Sequence, residues 1–335
     1  MHRPAPRIPV LLVAIVAAVT VTALASSAAG GRAAPARPSA GAVVVWAVGD
    51  GPNPKQNKRA KQVSDMIMAD HPSAVLYLGD VYEKGTKKEF KQYYKPTFGR
   101  FSSITYPTPG NHELESSPPL SGYDGYWTKR RPAVVGPGAS NTYAADLGAG
   151  WRALGLTSSF PGEGTGPSEE DTKGGPNEAD ELKFIAGDLA AHTGTCYLPF
   201  WHRPRFSAGS HGDQVDMDPV YQLLNGRTPL LLNGHEHEFF RLDLSKVVGA
   251  NPKLPGAQEI VAGTAGVRVS KTIHTGYPGL VAYLVAPNKA AKKKKHYYGA
   301  LRLVLTSGQA TFEYRDLDGS IIDRGSVGCA PVAPG

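Results

Sequence analysis

Cysteine is almost missing from this chain. Only Cys196 and Cys329 occur in 335 residues. Two thiols cannot build a thiolate zinc site, so any metal here must be held by nitrogen and oxygen ligands. Several catalytic signatures are absent too. There is no phosphate-binding P-loop and no G-x-S-x-G nucleophile elbow. The segment His235-Glu236-His237-Glu238-Phe239 is not H-E-x-x-H, and neither is the one at His112-Glu113, which excludes a zincin. Charge is sparse, at 19% of residues against 41% hydrophobic. That balance suits a globular protein with a sizeable core, in one large domain or two modest ones. No internal repeat is visible.

The one long apolar run lies at the start. Residues 1–9 carry Arg3 and Arg7 and no acid, and VLLVAIVAAVTVTALA follows, ending in Ala23-Leu24-Ala25. A basic start, a short apolar run and a small-residue site describe a secretory signal peptide over 1–25. The run is short for a membrane span, and no second one follows. The protein is expected to be secreted, with no membrane span in its mature form. No Arg-Arg pair precedes the run, which favours the general secretory route. Residues 26–41 are small residues, Pro and Arg, and read as a disordered linker. The functional domain is expected to cover 42–335, as a monomer. In an exported protein Cys196 and Cys329 can form one disulfide; two unpaired thiols are the alternative.

Net charge is +7, and part of it comes from one run, Lys292 to Lys295. A solvated hairpin tip explains that run better than a polyanion patch. No aromatic interleaving or nucleic-acid motif surrounds it, so no specific nucleic-acid partner is expected.

The apolar pattern predicts strand, helix, strand from Ala42 to Leu78, hence a parallel βαβ unit with a right-handed crossover. A helix is expected over 86–94, with Thr86 as N-cap and Glu89 completing a capping box. A short strand over 103–108 leads into Pro109-Gly110-Asn111-His112-Glu113. Residues 114–139 read as a loop containing Tyr123, Tyr126 and Trp127. A hairpin is expected over 142–156, an acidic loop over 161–177 and a helix over 178–191. Strands follow at 196–201, 229–232, 239–244, 258–262, 279–285, 298–305 and 310–316.

Five of the apolar runs end in side chains that bind metals. They are Gly49-Asp50, Gly79-Asp80, Gly110-Asn111-His112-Glu113, His202 and Gly234-His235-Glu236-His237. Any one alone is an ordinary turn or a lone histidine. All five sit at the C-terminal ends of strands, where open α/β sheets bind ligands. Two aspartates, an asparagine and three histidines suit Zn, Mn, Fe or similar ions. Six such ligands exceed what one tetrahedral ion keeps and fit two ions sharing a carboxylate.

In order along the chain, GDG, LGDVYEKGT, PGNHE, FWHRPRFSAG and NGHEHEFF resemble the motifs of the calcineurin-like metallophosphoesterases. The likeness runs from about Val43 to Cys329 and is strongest to the purple-acid-phosphatase-like branch of secreted bacterial enzymes. It implies an α/β fold, a four-layer α/β/β/α sandwich with mixed sheets and two metal ions at one edge. Carried over, Asp50 binds the first ion and Asp80 bridges both. Asn111, His202 and His235 hold the second, and His237 completes the first. His112 faces the substrate, stabilising phosphoryl oxygens or protonating the leaving group.

Two positions depart from the family pattern. Pro52 stands where the ordinary members have a histidine ligand, and Glu83 where the purple branch has a tyrosine. Tyr82 lies one residue earlier. Either Tyr82 binds through a shorter turn, or the first ion lacks an aromatic ligand and two divalent ions replace an iron–tyrosinate pair. The resemblance implies hydrolysis of small phosphate monoesters by water acidified on the metals and attacking phosphorus in line. A diesterase or nucleotidase with the same site, and a non-catalytic metal- or phosphate-binding envelope protein, are the alternatives. Arg203 and His211 are weaker candidates for substrate contact.

Overall fold

The computed structural model describes residues 41–55, 57–131, 141–158, 178–284 and 297–329. The segments read as signal peptide, most of the linker, the acidic loop and the lysine run lie outside the described residues.

The βαβ unit is present as β1 (Val43–Val48), α1 (Asn57–Ala69) and β2 (Ala74–Tyr77), and β1 pairs parallel to β2. Every residue of β2 and all but the first of β1 are buried, because both faces of the sheet are covered. Next come α2 (Lys87–Glu89), β3 (Thr105–Pro107), α3 (Asn111–Leu114) and α4 (Ser121–Trp127). The middle of the chain supplies β4 (Tyr143–Gly148), β5 (Trp151–Gly155), α5 (Glu178–Ala191), β6 (Cys196–Phe200), α6 (Asp218–Leu223) and β7 (Leu230–Asn233). The rest is β8 (Phe239–Asp243), β9 (Gln258–Ala262), β10 (Leu280–Leu284), β11 (Gly299–Thr306), β12 (Gln309–Asp316) and β13 (Ile321–Gly328).

These strands form two mixed sheets, in the orders β13-β12-β11-β1-β2-β3 and β10-β8-β9-β7-β6-β5-β4. The first joins a parallel β1-β2-β3 half to an antiparallel β11-β12-β13 meander. In the second, β5, β6, β7 and β9 run parallel, with β4, β8 and β10 antiparallel to their neighbours. Trp46, Leu76, Phe200, Leu232, Phe239 and Tyr314 belong to the core that unites the sheets. A second cluster packs Ile185 of α5 and Tyr221 of α6 against Leu154, Tyr197 and Leu231. Ala60, Val63 and Ile67 bury α1. This is the expected four-layer α/β/β/α arrangement. No described helix is long and apolar enough to cross a membrane.

Three local readings change. Residues 121–127 are helical rather than loop, and Tyr123, Tyr126 and Trp127 are buried there with Phe90 and Tyr94. The aromatic side chains anchor α4 to the core. The capping box of Thr86 and Glu89 forms, but the helix widens to a π turn over Phe90–Tyr94, and both of those rings are buried in that aromatic cluster. The strand β13 was not expected, because its pattern is mostly polar and exposed, as suits a sheet edge. Cys196, at the start of β6, is bonded to Cys329, just past β13, with a Cα–Cα distance of 6.0 Å. The bridge joins the two sheets at the end opposite His202.

Candidate metal centre

Each strand end delivers its side chain through a tight turn. Asp50, Asp80 and His235 all sit in the left-handed region, at φ of 59°, 67° and 70°. Non-glycine residues held there cost roughly 1–3 kcal/mol each, and the surrounding structure must enforce them. Backbone bonds do so: Asp50 N donates to Gly79 O, and Gly234 N donates to His202 O. Glycine before the ligand-type residues allows close approach. A Cβ on Gly234 would lie 2.7 Å from Asp50 Oδ2, and one on Gly110 would collide with Asp80 Oδ1.

The converging atoms fall into two groups around Asp80. On one side the Tyr82 hydroxyl lies 2.8 Å from Asp50 Oδ1, 2.8 Å from Asp80 Oδ2 and 2.8 Å from His237 Nε2. On the other, Asn111 Oδ1 is 3.0 Å from His202 Nε2 and 3.1 Å from His235 Nδ1. His202 Nε2 reaches Asp80 Oδ2 at 3.2 Å. Its Nδ1 donates to Leu78 O at 2.7 Å, so Nε2 is the ring nitrogen that faces the cluster. The shorter turn therefore brings Tyr82 into the group, in place of the tyrosine missing at Glu83.

This donor set fits metal cations better than it fits itself. One phenol proton cannot serve two carboxylates at 2.8 Å each. Asp50 and Asp80 are 0% and 1% exposed. Burial drives the Asp50 carboxyl up to about 7, with Asp80 adding to the rise. For Asp80 burial also raises, but His202, His112 and Tyr82 outweigh it and hold the group ionised. Burial pulls His237 down to about 4 and His235 well below the ordinary imidazole range, so both are neutral, the form that ligates metals. His235 Nε2 is buried with no hydrogen-bond partner.

His112 borders this cluster. Its ring centroid is 4.4 Å from that of Tyr82, and its Nδ1 is 2.7 Å from Glu83 O and 3.0 Å from Glu115 Oε1. With Nδ1 donating, Nε2 points towards Asp80 Oδ2, 3.9 Å away. Burial lowers its affinity for a proton, but Asp80, the Glu83 carbonyl and Glu115 together raise it by more, and the net shift is upward. His211 stands at the rim, with its ring 4.4 Å from that of His235 and its Nδ1 3.0 Å from Glu236 Oε2. Arg203 is a correction. Its guanidinium is buried and donates to Ser158 O, Asp216 and Gln214, so it ties the floor together and does not face a substrate.

Three supporting residues have roles that the motifs alone do not assign. Buried Glu113 accepts from the backbone N–H groups of Gly110 (2.6 Å), Asp80 (3.0 Å) and Val81 (2.6 Å), clamping two of the ligand loops together. Buried Glu236, between the two histidines, takes the Ser207 hydroxyl and the amides of His211 and Gly212. Gly263, just past β9, gives a sixth strand end, and a Cβ there would lie 2.7 Å from Asp50 Oδ2. Only the Gly-Thr-Ala-Gly after a buried strand could have signalled it.

The family model of the calcineurin-like phosphoesterases matches residues 44–239, more than half of the chain. The chain belongs to the calcineurin-like phosphoesterase family. Solved structures agree in fold. A purple acid phosphatase from yellow lupin seeds superposes with a TM-score of 0.61 at 16% identity, over 87% of this chain and 54% of that one. This phosphoesterase thus spans about half the length of the lupin protein. A dimetal phosphatase from Danio rerio gives 0.56 at 11% identity, over 86% and 99%. GAP50, the anchor in the inner membrane complex of Plasmodium, gives 0.61 at 9%, over 87% and 90%. At these identities the likeness is one of fold. No curated protein matches the sequence.

Proposed function

We propose that this phosphoesterase is a secreted enzyme of the purple-acid-phosphatase-like bacterial branch that hydrolyses small phosphate monoesters with two metal ions. The observation that carries the reading is the Tyr82 hydroxyl, 2.8 Å from each of Asp50, Asp80 and His237. Asp50, Tyr82 and His237 would hold one ion, Asn111, His202 and His235 the other, with Asp80 shared. Such a pair, when bound, supplies Lewis acidity and an acidified water nucleophile. The chain's own residues do the rest. Leu78 O fixes the His202 tautomer, and Glu113 fixes the Asp80 loop. His112, held through Nδ1, presents Nε2–H to phosphoryl oxygen or to the leaving oxygen, which takes that proton as the ester bond breaks. His211, oriented by Glu236, offers its ring at the rim to the bound phosphate.

The test measures metal content and turnover on p-nitrophenyl phosphate and its bis ester, before chelation, after it and after metal add-back. Two equivalents of metal and preferential, metal-restored turnover of the monoester are expected. Tyr82→Phe should lower metal content and abolish any visible charge-transfer band of iron-loaded protein. Metal-restored turnover that prefers the bis ester would replace this reading by a diesterase. No metal-dependent turnover of either ester would favour a binding protein.

A further inference from the structure

A groove of about 310 Å³, lined by none of the metal-centre residues, lies between the helical stretch from Lys87 to Lys95 and α4. Lys87, Lys91 and Lys95 line it at four-residue spacing, so they form a row along one side of that stretch. Arg130 lines it too, held in place: one Nη donates to Tyr126 O at 2.7 Å, and its Cζ lies 3.7 Å above the Tyr126 ring. No described carboxylate lies within ion-pair distance of these four cations. Glu89, on the same helical stretch, is engaged elsewhere, accepting from the amides of Glu83, Lys84 and Thr86. Four cations along a concave surface concentrate anions.

The floor of the groove is open because Gly125 has no side chain. A Cβ there would meet only the flexible end of Lys87, at 3.1 Å, and the Gly125 backbone does not require glycine. Phe90 and Tyr126 lie beneath, 2% and 6% exposed, and Arg130 covers the Tyr126 face. No ring is offered for a base to stack on, which disfavours single-stranded nucleic acid. A row of ammonium groups ending in a stacked guanidinium suits repeated phosphates. We propose that this groove binds a linear chain of phosphate groups without aromatic bases, independently of the metal centre.

The probe is inorganic polyphosphate, titrated into the full, chelated chain so that metal chemistry plays no part. Saturable binding is expected that weakens steeply as salt rises, since exposed charges are screened. The triple variant Lys87→Glu/Lys91→Glu/Lys95→Glu should lose at least tenfold in affinity. Gly125→Leu, which fills the groove without changing its charge, should lose about as much, while Lys246→Glu, in the turn after β8, should change nothing. Thermal melts check that each variant folds. Wild-type binding by the triple and Gly125→Leu variants, or no saturable binding at all, would overturn the proposal. So would equal or tighter binding of a single-stranded oligonucleotide of the same charge.

Discussion

Glu113→Gln tests how the centre is held together. The carboxylate satisfies three buried backbone donors, with Gly110 and Asp80 on Oε2 and Val81 on Oε1. A glutamine oxygen can keep the Oε2 pair, but its amide then faces the Val81 N–H, donor to donor. A buried donor left unpaired costs about 1–3 kcal/mol, and each retained bond loses its charge assistance, about 0.5–1 kcal/mol more. Against this, burial and the neighbouring Asp80 raise Glu113 to about 8, so the comparison is made above that pH, where the native group is the ionised acceptor and its burial cost offsets part of the gain. The net expectation is a loss of roughly 2–3 kcal/mol. Glu113→Ala, which orphans all three donors, should lose about 4–6 kcal/mol. For a domain of this size about 1 kcal/mol moves the melting temperature by roughly 2 °C. Thermal melts of chelated protein should thus fall by roughly 4–6 °C for glutamine and 8–12 °C for alanine. The freed Asp80 loop should also relax from its left-handed turn, so metal binding in a titration should weaken in the same order. An alanine variant that melts within about a degree of wild type and keeps full metal affinity would refute the clamp.

Three further outcomes are expected of this fold. His112→Ala should retain metal while turnover falls by roughly 10²–10⁴, the range for a lost general acid; full turnover would remove it from the chemistry. Glu259, 0% exposed on β9, has no well-formed hydrogen bond, and burial raises it to about 8 despite the nearby Phe206 and Arg205 amides. The folded state therefore binds the extra proton, so this group's contribution is complete below pH ~4.5 and declines as pH rises to ~8, by up to about 5 kcal/mol. Urea denaturation across that window should show the decline in wild type and lose it in Glu259→Gln; parallel curves would refute it. Reducing the Cys196–Cys329 bridge, which spans 133 residues, should cost about 4–5 kcal/mol on the chain-entropy estimate. Denaturant midpoints that do not move on reduction would contradict that.

Strand and helix periodicity revealed most of the fold because burial imposes it locally. The strands at 43–48, 74–77, 196–200 and 230–233 are continuous apolar runs covered on both faces. The exposed edge strand β13 and the helix α4 were hidden for the opposite reason. One has little apolar signal, and the other has tertiary aromatic packing overriding a glycine-rich sequence that reads as loop. The positions of Asp50, Asp80, Asn111, His202, His235 and His237 at the ends of apolar runs already mark them as candidates, since a side chain at a strand's C-terminal end is a matter of local pattern. The place of Tyr82 was open, because one residue in a turn decides where a phenol points. Arg203 looked available for the same kind of reason. Only the folded chain buries it among Ser158, Gln214 and Asp216. Sequence alone determined which residue types end which strands. Tertiary structure decided which of them share a cavity, because contacts between segments 32 to 185 residues apart depend on sheet order and register, which no local pattern encodes.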